Sequence, residues 1–314
     1  MSALFADPAA RPDFGVTFVE FDRMINSGGA IVVDDIQRGS DIQRSRAATF
    51  RNLHAEGLFV LPNAWDPLSA ALIAQAGAPA IATTSAAVSW VLGRTDGQRL
   101  SREEAVGQVR VIAAAVNLPV TADVEGGYGP APEDVASTIE AVVAAGAVGV
   151  NLEDSTAPGG PLFDRDAQAA RLRAARIAAT EAGLPELVIN ARTDVYLFGI
   201  GTPEGRFDEL LARAAGYAEA GADSLFVPGL LDLETLADLV GKAPLPINVM
   251  TGPGAPRVAE FAAAGVRRVS LGPAVAQAAY GRAQEAAREL LEHGTYATLS
   301  DALDFGAVES LFTR

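Results

Sequence analysis

The residues best suited to do chemistry in this chain are acids at the ends of apolar segments. Asp123 and Glu125 end one such segment and precede a glycine-rich run at residues 126–129, and Glu153 ends another. A carboxylate at the end of a buried strand is costly unless a cation meets it. Oxygen ligands with no nitrogen or sulfur donor nearby favour Mg²⁺, with Mn²⁺ as the second choice. We therefore predict that Asp123, Glu125 and Glu153 hold a divalent metal ion.

Each of these acids has a plainer reading as a helix cap, because an acid just before a helix N-terminus is common. Asp154, next to Glu153, should point to the other side of its strand, so we expect a structural role for it. Arg192 ends a third apolar segment and needs a partner there. It is a clamp on a substrate carboxylate or oxyanion, or a salt-bridge partner of Glu153 or Asp194, and both roles can coexist. Asp96, in a glycine-flanked turn, is either a water-mediated metal ligand or a simple turn residue.

Composition excludes several classes of function. The net charge of −15 leaves no basic face for nucleic acid. The longest apolar run, residues 141–152, is too short for a bilayer, which takes roughly 20 residues. The chain has no cysteine, which excludes disulfides, thiolate zinc sites and thiol nucleophiles and favours the cytoplasm. Lys242 is the only lysine and precedes the seventh predicted strand, so a Schiff-base mechanism is not expected.

A repeated pattern predicts the fold. Eight times, a predicted helix leads within a few residues into a short apolar strand with polar residues at its end, and six of these helices end at Ala-Gly or Glu-Gly. Glycine ends a helix in the left-handed conformation, and continuous apolar strands indicate a parallel sheet buried on both faces. Eight such units predict a (β/α)₈ barrel. The alternative, an open doubly wound sheet, normally shows G-x-G-x-x-G after its first strand, which residues 63–67 lack.

The domain limits follow from where that pattern begins and ends. We predict an N-terminal extension at residues 1–40, a catalytic barrel at 41–295 and a C-terminal helical tail at 296–314. Within the extension, residues 16–21 and 30–33 are candidate arms of a hairpin. Nothing in it resembles a site, so we expect an appendage or a dimer arm.

In a barrel the carboxyl ends of all strands meet at one face, which carries the active site. The end of the first predicted strand contributes Trp65, the second contributes Thr84 and Ser85, and the seventh contributes Asn248. We predict these four residues as substrate contacts beside the acids. The substrate itself should be a small carboxylate, since metal and arginine together suit one.

These residues resemble the motifs of the isocitrate lyase/phosphoenolpyruvate mutase superfamily. The most specific is DVEGGYG at residues 123–129, which is similar to D-x-D-x-G-[YF]-G. Glu153 and Asp154 match a hydrophobic-E-D motif, and residues 191–194 match A-R-T-D. The resemblance covers residues 52–272, most of the chain.

The resemblance implies a fold and a metal site. It implies a (β/α)₈ barrel, often a homotetramer that exchanges its last helix between subunits. It implies Mg²⁺ held by acids at the positions of Asp123, Glu125 and Glu153, often through water, with support from Asp96. Those metal-site residues follow from the family pattern and agree with the acids singled out above.

The resemblance also implies a chemistry. Members of the superfamily act on small 2-oxo or 2-hydroxy acids or on phosphonopyruvate, and their shared theme is a Mg²⁺-chelated enolate. Arg192 matches the arginine that stabilises the enolate. Thr84, Ser85 and Ala86 match the loop that holds the substrate carboxylate.

The departures from the family pattern narrow the activity. Glu125 replaces the second aspartate and is one methylene longer. The lid at residues 155–163 reads STAPGGPLF, without the K-[KR]-C-G-H of isocitrate and methylisocitrate lyases or the lysine and asparagine of phosphonate enzymes. We therefore expect decarboxylation or C–C cleavage of a small oxo or hydroxy acid, with water or Tyr128 protonating the enolate. The alternatives are phosphonate P–C chemistry and a non-catalytic barrel that binds an oxo acid.

Overall fold

The computed structural model describes residues 30–313, with side chains from residue 38. Nine short strands lie in this range: β1 (Phe59–Leu61), β2 (Asn63–Ala64), β3 (Ile81–Thr83), β4 (Val120–Asp123), β5 (Gly149–Glu153), β6 (Val188–Arg192), β7 (Ser224–Phe226), β8 (Ile247–Met250) and β9 (Arg268–Ser270). They form one parallel sheet in the order β1-β9-β8-β7-β6-β5-β4-β3-β2.

Helices separate the strands and follow the last one. Eleven α-helices lie within residues 30–313: α1 (Ala30–Leu53), α2 (Pro67–Gln75), α3 (Ser85–Val91), α4 (Arg102–Ala115), α5 (Pro132–Ala144), α6 (Arg165–Glu181), α7 (Arg206–Glu219), α8 (Leu233–Lys242), α9 (Val258–Ala263), α10 (Ala274–His293) and α11 (Phe305–Ser310). The alternation of parallel strands and helices confirms the predicted (β/α)₈ barrel with C-terminal helices.

The sheet closes on itself through a divided first strand. The sequence predicted one strand here, but β1 pairs with β9 whereas β2 pairs with β3. Pro62 stands between the two pieces and has no N–H to donate to a ladder. The side chain of Asn63 joins the neighbouring strands, because its amide donates to the carbonyl of Thr83 and its oxygen accepts from the N–H of Leu271. The eight predicted strand positions are thus filled by nine strands.

Caps and glycines set the helix ends, as the repeated pattern predicted. Asp66 caps α2 by accepting from the N–H of Ser69 at 2.6 Å, and Ser101 caps α4 in the same way through Glu104. After α5 the chain turns at Gly146, whose φ of 96° disfavours a residue with a Cβ. These local signals keep the connections short, so consecutive strands can lie side by side.

Strand alternation divides the core into two environments. On β6, Ile189 and Ala191 are fully buried in the apolar cluster shared with the helices. Asn190, between them, points into the barrel, where its amide nitrogen donates to the side-chain oxygens of Asn151 and Asn248, both at 2.9 Å. Successive residues of a strand point to opposite faces, so Arg192 shares the inward face with Asn190.

Part of the sequence prediction for the N-terminal segment is wrong. Residues 30–33 were expected to form a hairpin arm, but they are the first turn of α1. The residues that follow contain no proline and only one glycine, so nothing interrupts a helix there. The apolar residues 30–33 form the start of that helix. The other predicted arm, residues 16–21, lies outside the described residues, and the boundary at residue 40 stays a prediction.

The C-terminal segment is helical beyond the barrel. α10 ends at His293, where Gly294 adopts a left-handed φ of 65°, and a short 3₁₀ turn and α11 follow. Several large apolar side chains here are exposed, including Leu291 at 85% and Phe305 at 81%. No helix among residues 30–313 is long and apolar enough to cross a membrane.

Candidate active site

Three neighbouring strands bring the predicted chemistry together. Asp123, Glu153 and Arg192 are the last residues of β4, β5 and β6. In the sheet Asp123 lies beside Asn151, and Glu153 lies beside Arg192. Parallel strands in register present their carboxyl ends at one edge, which is why residues distant in sequence meet here.

A cavity of about 170 Å³ lies at this end of the barrel. Its lining comprises Asn63, Thr84, Ser85, Ala86, Asp96, Asp123, Asn151, Arg192, Leu197, Phe226, Met250, Ser270, Gly272 and Pro273. Six of these were predicted site residues, and the structure brings them to one cavity. We call Thr84, Ser85, Asp96, Asp123 and Arg192 the polar wall, and Leu197, Phe226, Met250 and Pro273 the apolar wall.

The acids of the site repel one another. Burial raises the pKa of Glu125 from its ordinary value of 4.5 to about 7, and the charges of Asp96 and Asp123 add to the rise. Burial and then the charge of Asp123 raise the pKa of Asp96, while hydrogen bonds from Ser85 and Gly97 oppose this. Burial is the main cause of both rises, and the added effect of neighbouring charges shows that Asp96, Asp123 and Glu125 lie close together.

Glu125 is held by Gln98, which follows the turn that carries Asp96 and which the sequence analysis did not single out. The N–H of Gln98 donates to Glu125 Oε2, and Gln98 Oε1 accepts from the N–H of Tyr128 at 2.8 Å. Gln98, Glu125 and Tyr128 have φ values of 56°, 49° and 57°, the only positive values among non-glycine residues 30–313. Left-handed backbone is unfavourable for such residues and concentrates at functional sites. The strain here surrounds one carboxylate.

Arg192 is buried between two acids. Its Nη1 lies 2.8 Å from Glu153 Oε2, and its Nε lies 2.7 Å from Asp194 Oδ1. Burial raises the pKa of Glu153, and the guanidinium opposes that rise. Asp194 also accepts from the hydroxyl of Ser155 at 2.6 Å. The predicted salt bridges are both present, and Arg192 still reaches the cavity.

Asp154 has a different set of partners from Glu153. It is fully buried and accepts from Arg213 Nη1 at 3.0 Å and from the hydroxyl of Tyr217 at 2.7 Å. Both partners lie on α7, outside the barrel. This placement agrees with the structural role that strand alternation predicts for Asp154.

The acids do not form a ready-made cage for a metal ion. Among residues 30–313, no three histidine, aspartate or glutamate side chains are arranged to hold one ion directly. Asp123 accepts from the N–H of Ser85 at 3.1 Å, Glu125 is engaged by Gln98, and Glu153 pairs with Arg192. A cluster of oxygen donors with excess negative charge, each already oriented by the protein, fits a divalent cation that keeps several of its waters.

Besides the acids Glu125 and Glu153, three predicted residues lie away from the cavity lining. Trp65 is buried in a cluster with α3, and its ring lies 6.0 Å from that of Tyr280 on α10. Asn248 is fully buried beneath the cavity and binds Asn190 and the carbonyl of Val249. Trp65 and Asn248 are therefore placed as packing groups rather than as lining residues.

Tyr128, the third of them, lies behind Glu125. Its hydroxyl lies 3.5 Å from Glu125 Oε1. Burial, and then the charge of Glu125, raises the pKa of Tyr128 above its ordinary value of 10. The hydroxyl is therefore protonated at neutral pH and directed at a carboxylate.

The apolar wall was missed by the sequence analysis. Phe226 and Met250 each end a strand, and they share inward faces with Ser224 and Asn248 two residues earlier. The period-two alternation could have identified both residues, but their apolar type gave no chemical signal. Leu197 and Pro273 come from loops and had no such signal.

The loop predicted as a lid folds over the turn that carries Asp96. Ser155 and Leu162 form an antiparallel bridge, and the N–H of Thr156 donates to the carbonyl of Pro161. A Cβ at Gly97 would overlap the ring of Pro158, so the two loops touch there. The mobility of this lid stays a prediction.

Comparison with known proteins gives a consistent result. The family model described as phosphoenolpyruvate phosphomutase matches residues 50–291. An uncharacterized protein of Mycobacterium tuberculosis is 36% identical over 76% of this chain and 88% of its own length. Oxaloacetate decarboxylase 2 of Pseudomonas fluorescens is 32% identical over 72% and 77%. The crystal structure of a putative lyase/mutase from Burkholderia cenocepacia superposes with a TM-score of 0.80, at 38% identity over 87% and 98%.

Proposed function

Because the chain belongs to the phosphoenolpyruvate phosphomutase family and is an enzyme of the isocitrate lyase/phosphoenolpyruvate mutase superfamily, we propose that it is a divalent-metal-dependent lyase. Its substrate is a small 2-oxo or 2-hydroxy carboxylate, and the reaction is decarboxylation or C–C cleavage. The observation that carries the proposal is the cavity that joins Arg192 to Asp96 and Asp123. The buried guanidinium of Arg192 can bind an anionic substrate and stabilise the negative charge that develops on it during the reaction. The acids beside it can hold a metal ion that does the same.

Arg192 is the group that acts on the reacting oxygen. Its two acidic partners hold Nε and Nη1, so the guanidinium has a single orientation when substrate arrives. A fixed donor stabilises developing oxyanion charge without reorganising during the reaction. Thr84, Ser85 and Ala86 also line the cavity, and on this proposal they bind the substrate carboxylate.

The metal requirement rests on the acids. Asp123 would bind the ion, with Asp96, Glu125 and Glu153 holding its water ligands. When bound, a Mg²⁺ ion supplies Lewis-acid polarisation of the substrate oxygens and offsets the charge of the acids. The lid contributes no acidic side chain, which suits a reaction that needs an electron sink more than a positioned proton donor.

The apolar wall helps to decide which carboxylic acid is the substrate. Phe226, Met250 and Pro273 line the same cavity as the polar wall, and Phe226 lies beside Arg192 in the sheet. A substrate with a hydrocarbon substituent would bury it there, at about 0.8 kcal/mol for each CH₂ group. We therefore propose alkyl-substituted malates and related acids together with oxaloacetate, the substrate named for the Pseudomonas relative.

A direct assay tests this function. The purified protein with Mg²⁺ should release a 2-oxo acid from an alkylmalate, or pyruvate from oxaloacetate, and should lose this activity with a chelator. Phosphonopyruvate is assayed in parallel, because the family description favours P–C chemistry as the second candidate. Turnover of phosphonopyruvate alone would establish that candidate, and tight oxo-acid binding without any turnover would indicate a binding protein.

The exposed apolar side chains after the barrel support a homo-oligomer. Leu291, Tyr296 and Phe305 are each more than 70% exposed. Several exposed apolar side chains in one segment indicate an interaction surface, whereas single ones do not. We propose that a second copy of the chain covers them, by exchange of the C-terminal helix. Light scattering should report a dimer or tetramer, and Leu291→Glu with Phe305→Glu should shift it toward the monomer.

A further inference from the structure

Arg171 on α6 is a buried arginine without an acidic ion-pair partner among residues 38–313. It is only 1% exposed, and no acid within residues 38–313 forms an ion pair with it. Its Nη1 donates to the carbonyls of Gly129 at 2.8 Å and Pro130 at 2.7 Å, and its Nη2 donates to the carbonyl of Gly126. Three carbonyls of one short loop thus converge on a single guanidinium.

That loop is the glycine-rich segment directly after Glu125. A buried guanidinium is costly unless its donors are satisfied, and a planar fork can meet several acceptors at once. Lysine has one nitrogen and cannot reproduce that geometry. The contacts therefore fix the path of residues 126–130, and with it the left-handed backbone that aims Glu125 and Tyr128.

Gln168, one turn earlier on α6, extends the same contact to the next strand. Its oxygen accepts from Arg171 Nε at 3.0 Å, and its amide nitrogen donates to the carbonyl of Glu153 at 3.2 Å. The N–H of Glu153 in turn donates to the carbonyl of Glu125 at 2.9 Å. Two side chains of one helix thereby tie together the main chains of two acids of the site.

The other face of Arg171 touches the end of the lid. Its guanidinium carbon lies 4.2 Å from the centre of the Phe163 ring. The N–H of Phe163 donates to the carbonyl of Asp154, next to Glu153. The same guanidinium thus contacts the glycine-rich loop and the C-terminal end of the lid.

We propose that Arg171, together with Gln168, is a positioning residue that sets the spacing of Glu125 and Glu153 and anchors the lid. The expected effect on metal binding rests on the proposed metal-dependent function. The contacts of Arg171 and Gln168 themselves, which we call the clamp, are present in the metal-free protein. Groups that orient metal ligands typically change metal affinity or activity by about 10–100-fold when they are removed.

The chain offers a matched control on the same helix. Arg176 also donates to main-chain carbonyls, those of Pro185, Leu187 and Gly221, and it pairs with Asp223. These contacts lie before β6 and β7, at the opposite end of the barrel. Arg176→Met should therefore cost stability without affecting the site.

The experiment compares wild type, Arg171→Met, Arg171→Lys and Arg176→Met. Hydrogen exchange of the metal-free proteins measures the clamp directly. Arg171→Met should speed exchange at residues 126–130 and 155–163, and Arg176→Met should leave both segments unchanged. A Mg²⁺ titration, followed by melting temperature and by activity, should need about 10-fold or more Mg²⁺ for half-saturation in Arg171→Met. Arg171→Lys should resemble Arg171→Met.

The outcomes separate the clamp from the proposed function. Unchanged exchange in both segments, or equal Mg²⁺ requirements in the two methionine variants, would overturn the positioning role. Wild-type behaviour of Arg171→Lys would overturn the need for a forked donor. A wild-type protein that neither binds Mg²⁺ nor turns over an acid would refute the proposed function alone, since the exchange comparison needs neither.

Discussion

The two walls of the cavity differ in chemistry and in origin. The polar wall comes from β3 to β6 and their loops, and burial together with the charge of Asp123 raises the pKa of Asp96 there, near the buried Arg192. The apolar wall comes from β7 to β9 and their loops and, through Leu197, from the loop after β6, and Phe226 and Met250 carry no charge. The polar wall therefore contains a carboxylate that is costly to keep charged, whereas the apolar wall contains no charged group. On the proposed function, we expect the polar wall to perform the reaction and the apolar wall to select the substrate.

The largest effect should come from removing the acid at the centre of the polar wall. Asp123→Asn keeps the shape and the acceptor for Ser85 but removes the charge that would bind the metal ion. Activity should fall below detection, and the rise in melting temperature with Mg²⁺ should disappear. Full activity in this variant would break the assignment of chemistry to the polar wall. Asp238→Asn, in an exposed ion pair on α8, serves as the control.

Arg192 should have the next largest effect. Replacing it with lysine keeps a positive charge but loses the two-sided contact with Glu153 and Asp194. Loss of a fixed oxyanion donor costs about 100–1,000-fold in kcat. The measurement is kcat at saturating substrate, with the melting temperature beside it to detect misfolding. A change in KM alone would make Arg192 a binding group only.

The apolar wall should change selection rather than rate. Met250→Ala widens the cavity, so kcat/KM for the smallest accepted acid should fall while that for a bulkier alkyl homologue rises. One methylene in an apolar pocket changes discrimination by roughly 10–200-fold. The measurement is the ratio of kcat/KM for the two substrates. An equal loss for both would contradict the division between the walls.

The smallest effect concerns stability and pH. Glu125 has a pKa of about 7 in the folded protein against an ordinary 4.5, so the folded state holds its proton longer than the unfolded state does. Unfolding then releases a proton, and the stability of the metal-free protein should fall as pH rises from about 4.5 to about 7. Glu125→Gln should flatten this part of the profile, and exposed Glu219→Gln should not. Melting temperatures across pH measure it.

The sequence was sufficient for three charged residues at the strand ends because chemistry and periodicity agreed there. Asp123, Glu153 and Arg192 each end an apolar segment, and strand ends meet in a barrel. Trp65 and Asn248 lie outside the cavity lining, and their predicted contact with substrate stays a prediction. Both stand near strand ends, but Trp65 packs against α3 and α10, and Asn248 belongs to the layer below the cavity. Position along a strand predicts the face that a side chain takes, and depth within the barrel depends on stagger between strands.

The sequence by itself therefore determined the barrel and the strand ends that carry Asp123, Glu153 and Arg192, because these depend on local periodicity and residue type. Only the tertiary structure decided how Pro62 divides the first strand, which apolar residues face the acids, and how each acid is held. The contacts of Gln98 with Glu125, and of Arg171 with the glycine-rich loop, join segments 27 and 45 residues apart. Such contacts depend on the packing of whole elements, which no local pattern encodes.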